Sequence, residues 1–66
     1  MKEIKISLAA ARVNAGLTQL EVSRLMGVSK QTVCNWENGK TAPNITQARK
    51  LSDAYDMPLD YIYLPA

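Results

Sequence analysis

The segment TQLEVSRLMGVSKQTVCNWENG, residues 18–39, contains two short helical patterns separated by a glycine. Thr18, followed three residues later by Glu21, forms a capping box that starts the first helix. Gly27 is suited to end that helix, because glycine adopts a left-handed backbone conformation without steric penalty. The second helix is predicted to run from Ser29 to the end of the segment. Because the link around Gly27 is only about three residues long, the two helices must turn sharply and pack against each other.

The rest of the chain continues the helical spacing. We predict a first helix over about residues 7–15, a fourth helix that starts with a capping box at Asn44, and a short fifth helix over about residues 58–63. The residues of the fourth helix that should point inward are Ile45, Ala48, Leu51 and Tyr55. The sequence therefore predicts an all-α, compact five-helix domain that occupies residues 1–66.

The composition fits a small globular domain and argues against several classes of function. The 66 residues are 47% hydrophobic and 21% charged, and the net charge of +2 makes the chain only mildly basic. A single cysteine, Cys34, rules out an internal disulfide, and histidine is absent. Because no spacing of carboxylates suggests a paired acid and base, we expect neither an enzyme nor a bound metal or cofactor.

The expected environment of the chain follows from the same features. No apolar run approaches the roughly 18 residues of a membrane span, so we expect no membrane partner. A chain of this length leaves little room for a pocket, so we expect no small-molecule ligand. A lone cysteine fits a reducing compartment, and we expect a cytoplasmic protein.

The predicted third helix has two different faces. At about 100° per residue, Val33 and Trp36 point towards the core, and we interpret Trp36 as an anchor rather than a platform for base stacking. The opposite arc is roughly 140° wide and carries uncharged polar groups and one lysine: Lys30, Gln31, Cys34, Asn35 and Asn38. Amides can bond adenine, lysine can donate to guanine, and a small thiol can contact a thymine methyl group, so this arc suits the major groove of DNA. The alternative is that this face only contacts solvent. For Cys34, a surface or half-buried position without any contact to DNA is an equally good interpretation.

Residues 16–43, GLTQLEVSRLMGVSKQTVCNWENGKTAP, resemble the Cro/CI-like helix-turn-helix repressors, also called Xre-like regulators. The resemblance continues through NITQARKLSDAYDMPLDYIY and covers about residues 6–64. It implies a sequence-specific regulator of bacterial or phage origin that binds double-stranded DNA. The implied mode is a compact repressor, dimeric on a palindromic operator, with its recognition helix (about residues 29–38) in the major groove. The chain is too short for a separate sensor domain, so it resembles the compact Cro type, unless it is a fragment of a longer regulator.

The resemblance also implies roles for individual residues. The base-reading positions match Lys30, Gln31, Cys34 and Asn35. The positions that contact phosphate or sugar match Gln19, Ser29, Thr32, Asn38 and Lys40. Gln19 is expected, in addition, to buttress the recognition helix. Arg12 and Glu37 match a structural salt bridge, so Glu37 is expected to stabilise the fold rather than contact bases.

The chain departs from the family pattern at three positions. Ser23 stands where alanine is preferred at the helix crossing, so its hydroxyl needs a partner such as a carbonyl one turn back. Asp56 stands where a glycine usually ends the fourth helix, and Pro58 replaces the usual N-cap serine of the fifth. Aspartate tolerates the left-handed conformation better than most residues, so we expect a modest cost at Asp56.

The C-terminal segment concentrates aromatic and aliphatic residues that either complete the core or pair with a second subunit. Because members of the resembled family often dimerise near this end, we predict a homodimer through Tyr61, Ile62, Tyr63 and Leu64.

Two other classes of function stay open on the sequence alone. One is an antitoxin or adaptor that uses the same fold to bind a protein, which the salt dependence of DNA binding would distinguish. The other is a small enzyme, for which no catalytic group is identifiable.

Overall fold

Four α-helices form most of the structure, a computed structural model that describes residues 5–63, with Tyr63 described in its backbone alone. In chain order the elements within this range are β1 (Ile6–Ser7), α1 (Leu8–Asn14), α2 (Gln19–Met26), α3 (Lys30–Glu37), α4 (Ile45–Ala54), a 3-10 turn (Leu59–Tyr61) and β2 (Ile62–Tyr63). None of the helices in the described range is both long enough and apolar enough to cross a membrane. The predicted all-α architecture, with a helical pair in its middle, is confirmed.

Each α-helix begins at a side chain that caps its first turn. Ser7 and Ser29 each accept a backbone N–H from three residues ahead. Thr18 and Asn44 form complete capping boxes, in which the side chain three residues later accepts the amide of the cap. Such caps stabilise a helix by about 1 kcal/mol each. The predicted starts of the first four helices are confirmed.

The link between α2 and α3 consists of three residues, as predicted. Gly27 has φ 69° and ψ 31°, in the left-handed region, and the amides of Gly27 and Val28 both donate to the carbonyl of Ser23. Apart from Gly27 itself and its two chain neighbours, no described residue has an atom within 4 Å of the position that a Cβ at Gly27 would take. Glycine is therefore required here for its backbone conformation and not for lack of space.

Two departures from the family pattern are accommodated by local hydrogen bonds and backbone conformation. Ser23 is buried in α2, and its hydroxyl donates to the carbonyl of Leu20 at 2.6 Å, which is the predicted kind of partner. Asp56 adopts φ 49°, the predicted left-handed conformation, just after α4 ends. Its amide donates to the carbonyl of Asp53 at 3.2 Å.

The fifth helix, predicted as a short turn over about residues 58–63, is not confirmed as an α-helix. Only one 3-10 turn forms there, and β2 then pairs in parallel with β1, with Ile6 opposite Ile62 and Ser7 opposite Tyr63. Pro58 contributes no side-chain cap, and the pairing holds Ile62 in an extended conformation (φ −103°, ψ 127°), so a second turn does not fit. Two-residue strands from opposite ends of the chain leave no periodic signal in a sequence.

A single cluster of buried side chains joins all four α-helices to β2. Its members are Leu8, Ala11, Val22, Val33, Trp36, Leu51, Tyr55 and Ile62. The interpretation of Trp36 as a core anchor is confirmed. Ala48, Leu51 and Tyr55 of α4 are buried as predicted, but the prediction for Ile45 is wrong, because its side chain is 61% exposed. Ile45 is the first residue of α4, one turn before Ala48, the first buried residue of this helix.

Candidate nucleic-acid interface

α3 divides its side chains between the core and the surface. Val33 and Trp36 are buried and hold the helix against the rest of the fold. The opposite face carries the four residues predicted to contact bases. Lys30 and Gln31 are exposed, and Cys34 and Asn35 are half-buried. The structure therefore brings these four residues together on one accessible side of α3.

Hydrogen bonds join the polar side chains of this face into two pairs. Gln31 Nε2 donates to Asn35 Oδ1 at 2.9 Å, and Asn38 Nδ2 donates to Cys34 Sγ at 3.3 Å. Both pairs have the i, i+4 spacing at which side chains meet on a helix. The sequence predicted all four residues at the interface, but the two hydrogen-bonded pairs were not predicted. The i, i+4 spacing of the residues was the signal that could have indicated these pairs.

Ser29 and Thr32 form the N-terminal border of this face. Ser29 Oγ accepts the amide of Thr32 at 3.1 Å, and the two hydroxyl oxygens lie 2.9 Å apart. The cap thus fixes both hydroxyl groups beside the first turn of α3, where Lys30 is exposed. Their contact with the sugar-phosphate backbone stays a prediction.

The loop after α3 is held to the helix by one carbonyl. The oxygen of Asn35 accepts the amides of Lys40 at 2.9 Å and Thr41 at 3.4 Å, while Gly39 allows the chain to reverse with φ 76°. The side chains of Asn38 and Lys40 are exposed. The backbone of this loop is therefore held beside the exposed face of α3, and the phosphate contacts of Asn38 and Lys40 stay a prediction.

A partly buried ion pair connects α3 to α1. Arg12 Nε donates to Glu37 Oε2 at 2.7 Å, Nη2 donates to Oε1 at 3.4 Å, and the two side chains are 16% and 6% exposed. Arg12 Nη1 also donates to the carbonyl of Leu17 at 2.9 Å, just before α2. The structure contains the salt bridge that the resemblance implies, so the charge of Glu37 is compensated within the protein.

Gln19 reaches the same carboxylate from α2. Its Nε2 donates to Glu37 Oε1 at 2.9 Å, which links the first residue of α2 to the last residue of α3. The amide side chain thereby buttresses α3 in the way the resemblance implies. Gln19 also lies at a helix N-terminus, where partial positive charge favours an anion, and its phosphate contact stays a prediction.

The ion pair influences a tyrosine in the core. Burial of the phenol raises the pKa of Tyr55 to about 12, and the negative charge of Glu37 adds to the increase while Arg12 opposes it. No sequence pattern indicated this coupling, because residues 12, 37 and 55 come together only through the tertiary fold.

The predicted dimer segment divides between the core and the surface. Ile62 is 2% exposed and completes the core of its own chain, so it is not available to a second subunit in this fold. Tyr61 is 58% exposed. Leu64 and the side chain of Tyr63 lie outside the part of the chain that the structure describes.

Comparison with known proteins agrees with this geometry. A helix-turn-helix family model matches residues 8–62, a range that contains all four α-helices. The chain belongs to this family, the Cro/CI-like or Xre-like helix-turn-helix proteins, and it is a DNA-binding regulator. No curated protein and no solved structure shows a significant similarity to it.

Proposed function

We propose that this regulator is a sequence-specific repressor that inserts α3 into the major groove of an operator. The observation that carries the proposal is the division of α3 into a buried face and an exposed face. The core holds one face, and the other presents side chains that hydrogen-bond base edges. The major groove admits an α-helix and displays a different pattern of donors and acceptors for each base pair.

Base contacts and phosphate contacts have separate tasks in this proposal. The base edges are contacted by Lys30, Gln31, Cys34 and Asn35. The phosphate backbone is contacted by Gln19, Ser29, Thr32, Asn38 and Lys40. Phosphate contacts set the register and orientation of the protein, while base contacts discriminate between sequences. The ion pair with Arg12 supports this division, because it compensates the carboxylate of Glu37 that stands beside the reading face.

We further propose that two chains bind together. A single recognition helix contacts only a few base pairs, and a dimer on a palindromic operator places two such helices about one helical turn apart. The exposed aromatic ring of Tyr61, in the C-terminal segment, supports a contact between subunits there. Repression then follows from occlusion of the promoter, in the cytoplasm where the DNA lies.

Selection of bound sequences from a random pool of duplex DNA tests this function, with the mass of the complex measured in parallel. We expect enrichment of an inverted repeat, two chains per duplex, and affinity that falls steeply with salt. The variant Lys30→Ala/Gln31→Ala should fold normally and lose the enrichment. Lys50→Ala, which removes a positive charge from the exposed side of α4, is the matched control and should retain it. Absence of any enriched sequence would favour the protein-binding alternative.

A further inference from the structure

The solvent-facing side of α4 carries a cation in its middle and carboxylates at its C-terminal end. We propose that this side is a contact surface for a second copy of the chain, with the two α4 helices antiparallel. The inference rests on the proposed function, which requires two chains on one operator, and it names a surface through which these chains meet.

Three exposed side chains form a strip along α4, which we call the α4 strip: Ile45, Arg49 and Asp53. They follow one another at intervals of four residues, the spacing at which side chains share one face of a helix. The side chain of Ile45 is 61% exposed. The α4 strip therefore begins with an apolar group, continues with a cation and ends with a carboxylate.

An open pocket adjoins the C-terminal end of the α4 strip. It is lined by Ser52, Asp53, Asp56, Met57 and Pro58. Two carboxylates thus stand beside two apolar side chains. This combination suits an arginine, because the alkyl stem of arginine packs on apolar groups while its guanidinium binds carboxylates.

The charges of this surface are not compensated within the chain. Across residues 5–63, the side chains of Arg49, Asp53 and Asp56 take part in no ion pair or hydrogen bond. Asp53 lies in the last turn of α4, which has no basic residue. Because the carbonyl end of a helix already carries partial negative charge, a carboxylate there is unfavourable, and a cation from a second molecule offsets it.

Antiparallel pairing makes the surface complementary to itself. A twofold axis at the level of residue 51 brings residues 49 and 53 of the two helices opposite each other, since both are two residues from the axis. Arg49 of each copy then meets Asp53 of the other, at the edge of the acidic pocket, and Ile45 lies opposite Met57 of the second copy. A twofold interface requires such a patch, in which one surface contacts its own duplicate.

The same surface continues into the segment that carries Tyr61. Pro58 lines the pocket, and its carbonyl accepts the amide of Tyr61 at 2.9 Å in the 3-10 turn. The ring of Tyr61 is 58% exposed. The α4 strip and the contact proposed at Tyr61 therefore adjoin each other.

Reversal of single charges tests the surface, with sedimentation velocity measured over a range of protein concentrations. We expect wild type to form a reversible dimer. Arg49→Asp and Asp53→Arg each place like charges opposite each other twice, so each should raise the dimer dissociation constant by about tenfold or more. An equimolar mixture of these two variants should dimerise like wild type, because both contacts then join opposite charges.

Lys50→Asp is the matched control, because it reverses a charge next to Arg49 but about 100° around the helix. It should dimerise like wild type. Below the dimer dissociation constant, all variants should unfold near the midpoint of wild type, because a contact between chains adds no stability there.

A mixture that dimerises no better than the separate variants would overturn the contact between copies. If wild type stays monomeric, and an arginine-rich peptide binds to it but not to Asp53→Arg, the surface belongs to a different partner and the contact is again overturned. Two chains of Arg49→Asp on the selected duplex, bound as tightly as wild type, would contradict this surface and keep the proposed function. If the mixture recovers dimerisation but wild type enriches no DNA sequence, the proposed function fails and this surface stands.

Discussion

Arg12 Nε lies 2.7 Å from Glu37 Oε2, so a residue of α1 holds the last residue of α3. The same carboxylate accepts the amide of Gln19 from the start of α2. Glu37 therefore fixes the end of α3 relative to both preceding helices. The orientation of the exposed face of α3 depends on this contact as well as on the buried side chains beneath it.

Replacement of this carboxylate should affect stability more than sequence preference. Glu37→Ala leaves the guanidinium of Arg12 without its carboxylate partner, so we expect the free energy of unfolding to fall by about 3 kcal/mol. This value is the lower end of the range for breaking a buried ion pair, because Arg12 is partly exposed. Urea unfolding measures the change. Asp53→Ala, which removes an exposed carboxylate from α4, should stay within about 0.5 kcal/mol of wild type. A Glu37→Ala variant that unfolds like wild type and selects a new DNA sequence would place Glu37 among the base contacts.

The raised pKa of Tyr55 predicts a loss of stability in alkali. The unfolded chain releases the phenolic proton near pH 10, while the folded chain keeps it up to a pKa of about 12. The stabilising contribution is therefore complete below pH 10 and is lost as pH rises towards 12, at up to about 1.4 kcal/mol per pH unit. Tyr55→Phe should remove this part of the pH dependence, whereas Tyr61→Phe, at an exposed position, should retain it. Denaturant unfolding at pH 9 to 12 measures the free energy of unfolding for both proteins. If this free energy falls in parallel with pH in wild type and in Tyr55→Phe, the assignment to Tyr55 is contradicted.

The left-handed backbone at Asp56 predicts that glycine is better there. Asp56→Gly should raise the free energy of unfolding by about 1 kcal/mol, because glycine adopts this conformation without the steric cost of a side chain. Lys50→Gly introduces the same residue into the exposed interior of α4 and should lower stability by about 0.7 kcal/mol. The opposite signs are the expected result in thermal or urea unfolding, and destabilisation by both variants would count against the assigned conformation.

Local signals explain which parts of this fold were predictable. The caps at Thr18 and Asn44 lie within four residues of their partners, so the sequence located the helix starts. Helical periodicity identified the buried face of α4, but it does not indicate where along the helix the core ends. For that reason Ile45 was predicted to be buried, although it is exposed. The pairing of β1 with β2 joins opposite ends of the chain and left no local pattern.

The candidate site shows the same division. Periodicity placed Lys30 and Gln31 on one face of α3, and the family resemblance supplied the pairing of Arg12 with Glu37. The contact between Gln19 and Glu37 spans two helices, so no spacing within one helix predicted its geometry. The influence of the ion pair on Tyr55 is a property of the assembled core.

Removal of the exposed lysine in the loop after α3 should weaken binding to all DNA alike. Lys40→Ala should reduce affinity for selected and random duplexes by the same factor, and it should lower the slope of log affinity against log salt by about one. Fluorescence anisotropy over a series of salt concentrations measures the slope. Lys50→Ala controls for the change in net charge and should leave the slope as in wild type. An unchanged slope for Lys40→Ala would remove this residue from the phosphate contacts.

The central claim is that the exposed face of α3 discriminates between base pairs. Its most direct test is the ratio of affinities for the selected duplex and for random duplex, measured for wild type and Lys30→Ala at one salt concentration. We predict that Lys30→Ala folds normally and that its ratio falls by about 5- to 150-fold, the equivalent of 1–3 kcal/mol. An equal loss of affinity for both duplexes, with the ratio unchanged, would contradict the claim.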